Sequence, residues 1–143
     1  MADIDLVRKH LSAIVASVAQ LRRHVPVSNQ TLRGNPDLLW IIERGLYLCI
    51  QNLLDCFAHI IAADFSDQWD TYAEAAAIVR KHGVINDSQE DLLRKMISVR
   101  NRSSHQYMAL DVDILMDVVN NKLDDVLKLA NALAHYSRLP QLT

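Results

Sequence analysis

The chain predicts an all-α fold, a compact up-and-down bundle of about five helices, on three observations. Half of its 143 residues are hydrophobic and 22% are charged, enough apolar surface for one domain with a real core. Only 3 Gly and 3 Pro interrupt long stretches rich in Leu, Ala, Val, Ile, Asp and Arg. Apolar residues recur at steps of three and four, the period of a one-sided helix. Residues 1–143 show no internal repeat, low-complexity tract or interdomain linker.

The first helix is expected from about Asp3 to His24. Val7, Leu11, Ile14, Val18 and Leu21 form a seam along it, with Asp3 and Asp5 near its start and Arg22, Arg23 and His24 near its end. That basic end suits the helix dipole or, alternatively, a phosphate. A connector, Val25–Gln30, leads to a short helical or irregular piece before Gly34-Asn35-Pro36-Asp37.

A long second helix follows from Pro36 to Ala63, its broad apolar side made by Leu39, Leu46, Ile50, Leu53, Phe57 and Ile60. Arg44, Gln51, Asp55 and His59 fall within roughly a 90° sector on another face. The sector is a solvated stripe, an interhelical hydrogen-bond network, or a support in which Asp55 or Gln51 holds groups of a site at Arg100 and His105 in place. Gly45 lets a neighbouring helix approach closely. Asp64 to Asp70 is a polar turn, and Thr71 with Glu74 makes a capping box for a short helix that Gly83 stops. Asp87 and Ser88 are expected to cap the next helix, and Asp111 a last one running to just before Pro140.

The helix opened at Asp87 carries the stretch from Leu92 to Tyr107. Leu92, Leu93, Met96, Ile97 and Val99 share one arc, and Arg100 falls inside that arc close to Leu93 and Met96. A permanently charged guanidinium on an inward face is costly unless it meets a partner or lines a cleft. His105 and Tyr107 follow where the helix is expected to end, with Ser103 and Ser104 before them. A fixed cation, a titratable imidazole and a phenol therefore gather in one place, the candidate working site.

Other chemistries are excluded by pattern. There is no phosphate-binding glycine loop, no nucleophile elbow and no paired-cysteine metal site, and the six histidines do not pair at metal-ligand spacing. His10, His82 and His135 read as solvated, and His59 as an interhelical hydrogen bonder. Cys49 and Cys56 lie two turns apart on one helix, too far to bridge, and read as buried thiols of the cytoplasm. No hydrophobic run reads as long enough to span a bilayer, and Met1-Ala2-Asp3-Ile4-Asp5 lacks the features of a signal peptide. A net charge of −2 opposes a non-specific nucleic-acid coat but permits a local basic cleft.

Arg100-Asn101, three residues, His105, one residue and Tyr107 resemble the R-x4-H-x-Y motif of the HEPN superfamily. The second helix, with Glu43-Arg44, Gln51, Asp55 and His59, is similar to the corresponding helix of the HepT-like branch. So is the segment from Tyr72 through Gly83-Val84-Ile85 to Met96, and the resemblance covers about Leu6 to Leu133. Ser104 stands where that branch often has a hydrophobic residue.

The resemblance implies a cofactor-free, metal-independent endoribonuclease toxin that dimerises, with the motifs of both subunits along one cleft. It makes Arg100 and His105 the catalytic pair and Asn101 a polar support. Tyr107 becomes the acceptor of AMP from an MntA-like nucleotidyltransferase antitoxin. Asp55 and Gln51 are supporting candidates, and Arg102, Ser103 and Ser104 are candidates for contact with RNA, whether tRNA or mRNA. Helical spacing predicts that Arg102 points away from Arg100, toward an RNA phosphate or, slightly preferred, solvent. Two alternatives remain: a catalytically quiet subunit partnering a nucleotidyltransferase, and a pure RNA-binding module. The last is ranked lowest because neither a basic overall charge nor an aromatic-studded basic sheet is evident.

Overall fold

The structure, a computed structural model, describes residues 2–104 and 112–140, with the side chains of residues 101–104 outside the description. The expected cap Asp111 lies outside the described residues. Among the described residues seven α-helices form: α1 Ile4–Arg22, α2 Asn29–Gly34, α3 Pro36–Ile60, α4 Tyr72–Lys81, α5 Asp87–Ser104, α6 Val112–Asn121 and α7 Leu123–Tyr136. A π-helical turn, Ile61–Phe65, extends α3, and no strand occurs among the described residues. The fold class is as the sequence predicts. The count exceeds five because the connector folds into α2 and the last predicted helix divides into α6 and α7.

Local chemistry sets most of the helix ends. The Asp3 carboxylate accepts from the backbone N–H groups of Asp5 and Leu6, and Ser28 and Thr31 cap α2 reciprocally. Asn35 caps α3 ahead of Pro36, whose missing N–H is harmless in the first turn. Thr71 and Glu74 make the predicted box on α4, and Gly83, at φ +76°, ends that helix in the left-handed region. At α5 the cap is Asn86 and not Asp87 or Ser88. Its side chain accepts from Gln89 N at 2.8 Å while the Gln89 amide oxygen accepts from Asn86 N at 2.9 Å. Asp87 instead pairs with Arg80 of α4, tying the two helices across their turn.

α1 and α3 run antiparallel along their length. Asp3 N donates to His59 Nε2 at 2.8 Å at one end, His10 Nδ1 meets Asn52 Oδ1 at 2.9 Å midway, and Gly45 faces Leu21 at the other end. A Cβ on Gly45 would lie 2.7 Å from Leu21 Cδ2, so any larger residue there would force the buried Leu21 side chain to shift. His59 forms the interhelical bond expected of it. His10 is half-buried and bonded rather than solvated, because Asn52 waits opposite it on α3. The seam of α1 is fully enclosed, and the core continues through Leu46, Ile50, Leu53 and Phe57 of α3 to Leu93 and Met96 of α5 and Leu129 and Leu133 of α7.

The stretch Pro36–Phe65 is, contrary to the sequence reading, long and apolar enough to cross a membrane by length and composition. Its apolar residues Ile42, Leu46, Ile50, Leu53 and Phe57 are instead the centre of the core. Cys49 and Cys56 are buried free thiols on it, and burial pushes both up to about 12, leaving them protonated and inert.

The break between α6 and α7 has a tertiary cause. The Asn120 side chain turns to the connector, accepting from Val27 N at 2.9 Å and donating to Val27 O at 2.8 Å. Lys122 then leaves helical geometry, and α7 sets off on a new line, with Asp124 held 2.5 Å from Arg22 of α1. The basic end of α1 thus meets a carboxylate.

At the opposite end, the π-helical turn closes the bundle. It swings Phe65 onto His82, with centroids 3.9 Å apart and planes 7° apart, and brings Asp64 within 2.6 Å of the Tyr136 hydroxyl. Burial and that carboxylate push the Tyr136 phenol up to about 12. Asp67 accepts from Lys81 at 2.7 Å and meets His82 at 2.9 Å, so His82 is fastened rather than simply solvated. His135 is exposed as expected.

Lys81 and His82 hold the Asp67 carboxyl below its ordinary value of 3.8, and Arg80 does the same for Asp87. These carboxylates therefore become protonated at lower pH in the native state than in the unfolded chain. Their stabilisation is full above the ordinary carboxylate value and is lost as pH falls through the lowered native values. Asp67→Asn should flatten the decline of thermal stability on acidification below about pH 4. An acid limb as steep in the variant as in the parent, followed by circular dichroism, would contradict this assignment.

Candidate functional site

The centre of the site is Arg100, seven residues beyond the fully buried Leu93 on the inward side of α5. Its neighbours Met96, Ile97 and Val99 are enclosed in the core, which fixes the rotation of the helix and leaves the Arg100 side chain half-buried. The cost of desolvating a guanidinium is offset by named partners. Arg100 Nε donates to Gln51 Oε1 of α3 at 3.2 Å, and the same amide donates through Nε2 to Asp55 Oδ1, one turn further along, at 2.8 Å. An amide can accept and donate at once, so Gln51 relays the carboxylate's polarisation to the cation without placing the two charges in contact.

Aromatic rings hold the guanidinium from other sides. Its central carbon lies 4.9 Å from the ring centroid of Tyr72, at the start of α4, and 5.9 Å from that of Tyr47 on α3. Both separations are within the range of a cation–π attraction. Arg44 lies 5.5 Å from the same Tyr47 ring, and Trp69, before α4, lies 5.7 Å from Tyr72. Three elements, α3, α4 and α5, therefore fix one cation, and α3 contributes Arg44, Tyr47, Gln51 and Asp55 at steps of three and four from a single stripe.

Of the sequence-derived candidates, the structure brings together Arg100, Gln51 and Asp55. His59 leaves that sector and bonds to the start of α1. His105 and Tyr107 lie outside the described residues, as do the side chains of Asn101, Arg102, Ser103 and Ser104. Tyr47 and Tyr72 were not anticipated as part of the site. Tyr47 carried a signal, since it sits three residues after Arg44 and four before Gln51. Tyr72 carried none, because only the docking of α4 on α5 brings it to Arg100.

A planar donor held in a preset orientation beside the half-buried Tyr47 and Tyr72 rings has the chemistry to bind an anion. Among the described residues, no three His, Cys, Asp or Glu side chains come together as metal ligands. The fold and the oriented arginine near the end of α5 define an all-helical bundle domain, and comparison with known proteins narrows it. The model of the ribonuclease HepT-like family matches residues 14–133, and the chain belongs to that family.

Solved structures share the fold. A toxin–antitoxin crystal structure with AMP-PNP superposes with a TM-score of 0.82 at 18% identity, over 92% of this chain and 98% of its own. A tri-AMPylated HEPN toxin of Shewanella oneidensis in complex with an MNT antitoxin gives 0.83 at 19% identity, over 93% and 99%. An MntA–HpeT toxin–antitoxin complex in which one tyrosine is replaced by alanine gives 0.81 at 18% identity, over 91% and 98%. No functionally curated protein matches the chain significantly.

The contact between Arg100 and Tyr72 is measurable. A double-mutant cycle with Arg100→Met and Tyr72→Leu, read by urea unfolding, should return a coupling of about 0.5–2 kcal/mol, and Tyr72→Phe should retain most of it. Additive single-mutant effects would show that the ring does not hold the cation.

Proposed function

We propose that this chain is a metal-independent endoribonuclease toxin, acting as a homodimer in which Arg100 and His105 of both subunits face a shared cleft. The observation that carries this reading is the held guanidinium of Arg100, the first residue of the R-x4-H-x-Y pattern, within a ribonuclease HepT-like match reaching residue 133. Orienting an arginine with an amide, a carboxylate and two rings is what preorganised stabilisation of an anionic transition state requires.

In this reaction the 2′-hydroxyl of RNA attacks the adjacent phosphorus. A 2′-O–P bond forms and the bond from phosphorus to the 5′-oxygen breaks, leaving a 2′,3′-cyclic phosphate and a 5′-hydroxyl. One histidine takes the proton of the attacking hydroxyl and another supplies a proton to the departing oxygen. An imidazole suits both tasks near neutral pH, and a dimer supplies two copies of His105. Arg100 donates to the non-bridging oxygens as charge accumulates on the phosphorane. Asn101 supports the pair, and Arg102, Ser103 and Ser104 flank it as contacts to the strand.

The toxin would be silenced by an MntA-like nucleotidyltransferase that transfers AMP to Tyr107. The phenolic oxygen attacks the α-phosphorus of ATP and pyrophosphate leaves. The bulky anion then excludes RNA by volume and by repulsion of its phosphates. The structural relatives, a toxin–antitoxin structure with AMP-PNP and a tri-AMPylated HEPN toxin in complex with MNT antitoxin, support this partner and this modification.

The test is incubation of purified protein with total RNA in EDTA. Wild type should release fragments ending in cyclic phosphate, while Arg100→Ala and His105→Ala should each lose about 100-fold or more of the rate. Wild-type activity no greater than that of both variants would overturn the nuclease reading. A stable complex with the nucleotidyltransferase but no cleavage would assign the chain as a quiet partner subunit instead. With ATP and that enzyme, the mass should rise by one or more AMP units in wild type but not in Tyr107→Phe.

A further inference from the structure

The chain has only eight aromatic residues of the Phe, Trp and Tyr types, and four of them stand in one row with two arginines. Trp40, 72% exposed, opens the row and shares a shallow hollow of about 140 Å³ with Glu43, Arg44 and Tyr47. Arg44 then meets the Tyr47 ring, Tyr47 meets Arg100, Arg100 meets Tyr72, and Tyr72 meets Trp69, with successive centres 4.9 to 5.9 Å apart. Both tryptophans of the protein are in this row, one at each end.

We infer that this row is a stacking track for the bases of single-stranded RNA on either side of the phosphate held at Arg100. The assignment rests on the nuclease reading for the identity of its ligand but not for its geometry. The exposed Trp40 offers a π face that any base can cover, and the half-buried Tyr47, Tyr72 and Trp69 rings with the two guanidinium planes continue the row, whereas duplex RNA keeps its bases stacked on one another. The chain's net charge of −2 provides no broad basic surface, so stacking must supply much of the affinity. Arg44 adds a planar cation beside the exposed Trp40, where a base can be sandwiched and its phosphate neutralised together. Glu43, in the same hollow, would repel phosphate there and favours placing a base rather than the backbone over Trp40. The arrangement selects an unpaired segment on both sides of the cut and discriminates little among base types.

A 2′-O-methyl RNA oligonucleotide lacks the attacking hydroxyl, so it reports binding by the full chain without cleavage. Its titration should quench tryptophan emission saturably in wild type. Trp40→Ala and Tyr47→Ala should each weaken binding about 5- to 100-fold, and in cleavage assays the loss should fall mainly on KM. Arg44→Lys keeps the charge but removes the plane, and should weaken binding nearly as much as Arg44→Ala.

Wild-type affinity in Arg44→Lys and Trp40→Ala would overturn the track. So would emission that responds to protein concentration and not to RNA, since Trp40 would then belong to a contact between copies. Cleavage by wild type without quenching removes the track and leaves the nuclease intact. Quenching without cleavage keeps the track and removes the nuclease.

Discussion

A charged guanidinium on the inward side of a helix has to be held, and the rest of this architecture follows from how Arg100 is held. The core residues Leu93, Met96 and Val99 fix the rotation of α5 and so aim the Arg100 side chain at α3 and α4. Its fork must then find acceptors and π faces where α3 and α4 pass. Gln51 provides the first, with Asp55 behind it, and Tyr47 and Tyr72 provide the second. A neutral amide stands between Arg100 and Asp55, so the Nε edge of the cation is oriented by Gln51 while the carboxylate orients Gln51 in turn.

α3 carries both halves of this arrangement. One side of it is the centre of the core, drawn against α1 by the absence of a side chain at Gly45. The other side is the stripe of Arg44, Tyr47, Gln51 and Asp55. A rigid, long helix wedged in the core is a better base for oriented groups than a loop, because its side chains inherit the precision of the packing beneath them. The ends of the bundle are closed by polar contacts rather than by more core. Phe65, His82, Asp67 and Lys81 knot the π-helical turn to α4, while Arg22 and Asp124 join α1 to α7.

Much of this was legible in the sequence where the cause is local. The seam of α1, the boxes at Thr71–Glu74, the stop at Gly83 and the inward position of Arg100 all follow from spacing and side-chain chemistry over a few residues. The stripe containing Gln51 and Asp55 was legible as a face and as one candidate support of Arg100, which the bond from Arg100 Nε to Gln51 bears out; helical periodicity alone did not decide between that support and a solvated stripe. Features with long-range causes were not legible. The division of α6 from α7 depends on Asn120 meeting the Val27 backbone 93 residues earlier in the chain, and His10 is drawn inward by Asn52 42 residues away. Asn86 outcompeted Asp87 as the α5 cap because Asp87 is claimed by Arg80. The parts assigned to His105 and Tyr107 come from the motif they complete.

The most direct measurement of the held guanidinium is the exchange of arginine Nε–H protons with water, followed by nitrogen-15 NMR. The Arg100 signal, identified by its disappearance in Arg100→Lys, should be displaced by the ring currents of Tyr47 and Tyr72. It should also exchange slowly, and become fast in Gln51→Ala. An Arg100 Nε–H that exchanges in wild type as rapidly as those of surface arginines would contradict the account at its base.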